Sequence, residues 1–107
     1  MRVSAKILLI GTLTAIPISA IYGEPLTKAQ TCKNMHKLAK NIMDSRQQGM
    51  AMPDIIETVD GNPLFEYFIE SAYDMPRYST DEMQQRSIED FANSIYAECW
   101  KNYKADN

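Results

Sequence analysis

The chain has 107 residues, 45% of them hydrophobic and 23% charged, with 11 Lys and Arg against 14 Asp and Glu. That is the composition of at most one small globular domain, and it excludes multidomain enzymes, coiled-coil rods, collagen-like chains and polar disordered tails. A formal net charge of −3 also excludes a protein that wraps nucleic acid, which needs a basic surface to release counterions.

Met1–Lys6 carries Arg2 and Lys6 and no acid, Ile7–Ile16 is almost wholly apolar, and Pro17-Ile18-Ser19-Ala20 supplies a helix break and small residues. This order predicts a secretory signal peptide over residues 1–20, cut after Ala20 or, as second choice, after Gly23. The competing reading is a retained anchor, but the apolar run Ile7–Tyr22 contains Gly11 and Pro17 and spans 16 residues, short of the ~20 that cross a bilayer. No cysteine precedes Cys32, so lipid attachment beside the apolar run is not expected. The mature domain, residues 21–107, would hold 9 basic and 14 acidic residues, a net charge of −5, with no stable membrane insertion. A domain of this size is marginal on burial alone and gains from a staple. Its two cysteines, exported to an oxidising compartment, allow one intramolecular disulfide, Cys32–Cys99.

Four helical segments follow in chain order. Ala29, Cys32, Met35, Ala39, Ile42 and Met43 recur at steps of three and four, predicting a helix from Leu26 to Gln48 with Thr27 as cap and Gly49 as stop. Pro53 opens a short segment, Asp54–Asp60, which Gly61 closes in a left-handed conformation. Asn62-Pro63 starts a third helix through Phe65, Phe68, Ile69 and Ala72, ending by Met75 because Pro76 follows. Ser79-Thr80-Asp81-Glu82 reads as a capping box from Ser79 to Glu82, opening a helix to about Tyr103 with Ile88, Phe91, Ala92, Ile95 and Cys99 on its buried arc. No alternating β pattern is present in the sequence. The expected fold is an all-α bundle of three to four helices whose first and last run antiparallel, because Cys32 lies early in one and Cys99 late in the other. Met35 should then face Ile95, Ala39 face Phe91 or Ala92, and Ile42 face Ile88.

Catalytic arrangements are scarce. The sequence has no H-E-x-x-H, C-x-x-C, G-x-S-x-G, phosphate-binding glycine loop or calcium-loop spacing. Cys32 and His36, four apart, have the spacing of a thiolate–imidazolium pair or half a metal site, but a disulfide consumes the thiol and a single histidine completes no site. The acid pairs Glu66/Glu70, Asp54/Glu57 and Glu89/Asp90 would serve glycan cleavage only by facing each other across a groove, and otherwise read as solvated faces. No catalytic residue, metal or cofactor is therefore expected.

Charge and aromatic residues are unevenly placed. Leu26–Gly49 holds Lys28, Lys33, Lys37, Lys40 and Arg46 against Asp44, a balance of +4, whereas the chain from Met50 onward has 12 acids and four bases. Lys33, Lys37 and Lys40 form a stripe that either serves solubility or binds an acidic partner or anionic membrane. Tyr96, Trp100 and Tyr103 follow one edge of the last helix. They read either as core edge, covered by the N-terminal segment or the Tyr73–Tyr78 loop, or as an exposed anchor patch.

The skeleton Cys32, Ile42-Met43, Arg46-Gln47-x-Gly49, Ala72-Tyr73-x-x-Pro76-Arg77-Tyr78, Phe91 and Cys99 resembles short exported helical proteins of bacteria and bacteriophages, stapled by one cysteine pair. The resemblance implies a bacterial envelope location and nothing about catalysis, and it directs attention to Arg46, Gly49, Tyr73, Pro76 and Arg77. The functional expectation is a non-catalytic protein-interaction module, periplasmic or secreted, acting as an inhibitor, immunity-type protein or stress chaperone on an envelope or secreted partner. Its expected contact residues are Tyr73, Arg77, Tyr78 and Trp100, with Arg46. The alternatives are a membrane-tethered lysis or envelope regulator with an uncleaved N-terminus and a cell-wall-polymer hydrolase.

Overall fold

The computed structural model describes residues 24–104, so the expected signal peptide and its cleavage bond lie outside the described residues. Within them, α1 (Lys28–Gln47), α2 (Met52–Ile56), a 3₁₀ turn (Glu57–Val59), α3 (Pro63–Tyr73) and α4 (Asp81–Asn102) follow one another, with no strand. The fold is all-α, as the helical spacing of its apolar residues dictates.

Each helix boundary has a local cause. Thr27 caps α1 in a reciprocal box with Gln30, each side chain accepting from the other residue's backbone N–H. Beyond the other end, Gly49 takes φ +94°, a conformation that favours glycine. Asn62 Oδ1 accepts from the Leu64 and Phe65 amides ahead of Pro63, which loses nothing by lacking an N–H in the first turn. Two sequence expectations are corrected. The short second segment is α-helical only to Ile56 before tightening, and Asp60 shares the left-handed turn with Gly61. The α4 cap is Thr80, whose Oγ1 accepts from Met83 N, and not Ser79. Glu82 thus falls at the second helical position, one short of where a capping box needs it.

Among the described residues the most extensive helix–helix packing is between α1 and α4. They run antiparallel, joined by the Cys32–Cys99 disulfide with Cα atoms 5.5 Å apart. Further contacts keep the same register: His36 meets Asn93 and Tyr96, and Lys28 meets Trp100. Ala39, Ile42, Met43, Ile88, Phe91, Ala92 and Ile95 form the seam, and α3 lays Phe68, Ile69 and Ala72 onto it. Ile55 of α2 closes the core near the end of α1. Ala29, placed on the apolar stripe by spacing, is exposed, and Cys99 is half-buried, whereas Cys32 is fully buried.

Candidate functional site

The residues expected to form one contact surface are divided between the two ends of the α1–α4 pair. Arg46, Tyr73, Arg77 and Tyr78 converge on the C-terminal end of α1, while Trp100 packs against Lys28 at its start. At 1.5 Å per residue those ends are separated by about 28 Å.

The first end is held by a polar junction centred on Gln47, which is fully buried. Its Nε2 donates to the Pro76 carbonyl at 3.0 Å and toward Met43 Sδ at 3.4 Å, and its Oε1 accepts from Tyr78 N at 2.9 Å. Arg46 donates through Nε and NH2 to the Met75 carbonyl and sits 5.0 Å over the Tyr73 ring. The Tyr73 hydroxyl donates to the Met50 carbonyl at 2.6 Å, and Arg77 Nε donates to the Gln47 carbonyl at 3.0 Å. The Arg77 guanidinium crosses Gly49 so closely that a Cβ there would lie 3.0 Å from its NH2 atom. Arg46, Gln47 and Arg77 therefore tie the α3–α4 connector to the end of α1, and Tyr73 ties the end of α3 to the loop after α1, satisfying carbonyls that Pro76 and the helix ends leave without partners. Burial raises the Tyr73 phenol above its ordinary value, the nearby Arg46 charge opposes this, and Asp54 adds to it.

Gln47 entered the sequence reading only within the Arg46-Gln47-x-Gly49 skeleton and was given no role of its own. Its position four residues after Met43, itself four after Ala39, was the available signal.

At the other end, Trp100 is 44% exposed. Tyr96 lies nearly parallel to it, with centroids 6.1 Å apart and planes 9° from parallel, and Lys28 Nζ stands 4.0 Å from the indole centroid. Tyr96 meets His36 edge-on, and His36 Nε2 is 3.2 Å from Asn93 Oδ1. The Tyr73–Tyr78 loop, anchored at the opposite end, does not cover this pair. Tyr103 leaves the stripe: as the C-terminal cap its backbone is extended, and its side chain lines a separate hollow of about 230 Å³ with Met35, Leu64, Tyr67 and Ile95. Tyr67 donates from that hollow's rim to Glu98.

Cys32 is bonded to Cys99, so the Cys32/His36 pair has no thiol. Glu66 and Glu70 share α3 and do not face each other across a groove. Among the described residues no group of three His, Cys, Asp or Glu is placed to hold a metal ion, and no helix is long and apolar enough to cross a membrane. Comparison with protein-family models, curated proteins and solved structures gives no significant match.

Proposed function

We propose that this chain is an exported, non-catalytic binding module of the bacterial envelope, periplasmic or secreted, that engages a protein partner. The observation that carries the reading is the Trp100 site, an indole nearly half exposed yet held by Tyr96 and Lys28 one helix position from the disulfide. A large ring whose rotamer is already restricted loses little entropy on binding, which is why tryptophan and tyrosine dominate interface energetics. The disulfide supports export, because such bonds persist in oxidising compartments. Arg46, Tyr73, Arg77 and Tyr78 serve this module by holding the α1 end together, and Trp100 is the residue left for contact.

The experiment is cross-linked capture from the native envelope with the wild type, Trp100→Ala and Arg77→Ala, alongside thermal melts. Trp100→Ala is expected to abolish capture with little change in melting temperature. Arg77→Ala is expected to lower the melting temperature while the folded fraction still captures. A Trp100→Ala variant that captures normally would refute the site, and cell-wall-polymer turnover lost in Glu66→Gln would replace the module with a hydrolase.

A further inference from the structure

We infer that the α1–α4 face opposite α3 docks an acidic polypeptide segment, an inference that rests on the binding-module reading and names the partner's chemistry. Three observations converge on this face. First, nothing else in the described chain covers it: a hollow of about 430 Å³ is lined by Ala29, Lys33, His36, Asn93 and Tyr96, all from α1 and α4. α3 packs instead on the other side of the seam. Second, the α1 half of the face is basic, and the nearest acid that α4 brings to it is Glu89, one turn before Asn93. Lys33, Lys37 and Lys40 are exposed along α1, the first turn of α1 has no acid, and Asp44 is the only acid in the helix. Third, Tyr96 lines the hollow and stacks on the half-exposed Trp100, which extends an apolar edge beside the lysines.

The geometry fits a strand-like peptide better than a membrane. Lys28 to Lys40 spans about 18 Å of helix axis, which an extended segment of about six residues matches. From Met50 onward the chain carries 12 acids and four bases, so a broad anionic surface meets repulsion from the rest of the domain. A narrow segment laid along the lysine side of α1 keeps to the helix whose only acid is Asp44. Carboxylates of the segment pair with Lys33, Lys37 and Lys40, and one of its apolar side chains enters the hollow between Ala29 and Tyr96.

The test titrates the oxidised full chain with a labelled peptide alternating glutamate and leucine, its glutamine–leucine counterpart, and vesicles of phosphatidylglycerol. The glutamate peptide is expected to bind, at least about tenfold more tightly than the glutamine peptide, and to weaken steeply with salt. The triple charge reversal Lys33→Glu, Lys37→Glu, Lys40→Glu should cut that affinity at least about tenfold without moving the melting temperature, since all three side chains are solvated. Amide shifts on binding should map to Lys33, His36, Asn93 and Tyr96. Equal binding of both peptides, binding that survives the triple reversal, preference for the vesicles, or self-association that occupies the face would each overturn the inference. Envelope capture that depends on Trp100 but ignores the triple reversal would remove the acidic partner and leave the module standing. Loss of both dependences would remove both.

Discussion

Truncating Gln47 strands two groups at once, because the Pro76 carbonyl loses its donor and the Tyr78 N–H its acceptor in a partly buried junction. Gln47→Ala is expected to destabilise the domain by about 3 kcal/mol, from the lost bonds and the unsatisfied groups left behind, as measured by urea unfolding. Tyr73 gives the same junction a pH dependence. Its phenol titrates above the ordinary 10.0 because burial disfavours the phenolate, outweighing the opposing Arg46 charge. The folded chain therefore holds that proton more tightly than the unfolded one. The stability this provides is complete below pH 10 and is lost as pH rises through the folded-state pKa. Ionisation also removes the proton donated to the Met50 carbonyl. Unfolding curves across alkaline pH should show a steeper loss in the wild type than in Tyr73→Phe, whose difference from the wild type vanishes at the alkaline end.

At the scale of the helices, two adjacent candidates separate cleanly. Thr80→Ala is expected to cost about 1 kcal/mol and Ser79→Ala close to nothing, since only Thr80 Oγ1 receives the Met83 amide. Thermal melts of the two variants check this. Ser79 and Thr80 are chemically interchangeable as caps, so which one caps depends on where the Pro76–Tyr78 connector sets the chain down, and that is a tertiary fact. Where one residue type fits, the sequence was legible: Thr27, Asn62-Pro63 and Gly49 mark their boundaries, and the cysteine positions dictate the antiparallel pairing. The contact surface was less legible. Tyr73, Arg77 and Tyr78 have the composition of a recognition loop, but Arg46, Gln47 and Met50 meet them from 20 or more residues away in sequence, and no local pattern reports such partners. Lys28 and Trp100 are further apart still, and their contact follows only once the helix register is known.

Taken whole, the molecule is a pair of long helices fastened at both ends, covalently beside Trp100 and by hydrogen bonds at Gln47. The covalent fastening joins residues 67 apart, and a loop of that size contributes about 4 kcal/mol through the unfolded chain. That is most of the ~5 kcal/mol at the lower end of the range for a folded domain. Paired Cys32→Ala and Cys99→Ala substitutions are accordingly expected to lower the melting temperature by about 20 °C, read by far-UV circular dichroism. Everything that α1 and α4 bracket, from the Gly49 turn to the Thr80 cap, lies inside that covalent ring. A protease that cuts the exposed Asp60-Gly61 bend therefore opens the backbone without releasing a fragment. The nicked protein would run as one species on a non-reducing gel and as two after reduction. In a compartment crowded with peptidases, such a cut would leave the Trp100 face attached to both halves, so its persistence would depend on the redox state of its surroundings as much as on the integrity of the chain.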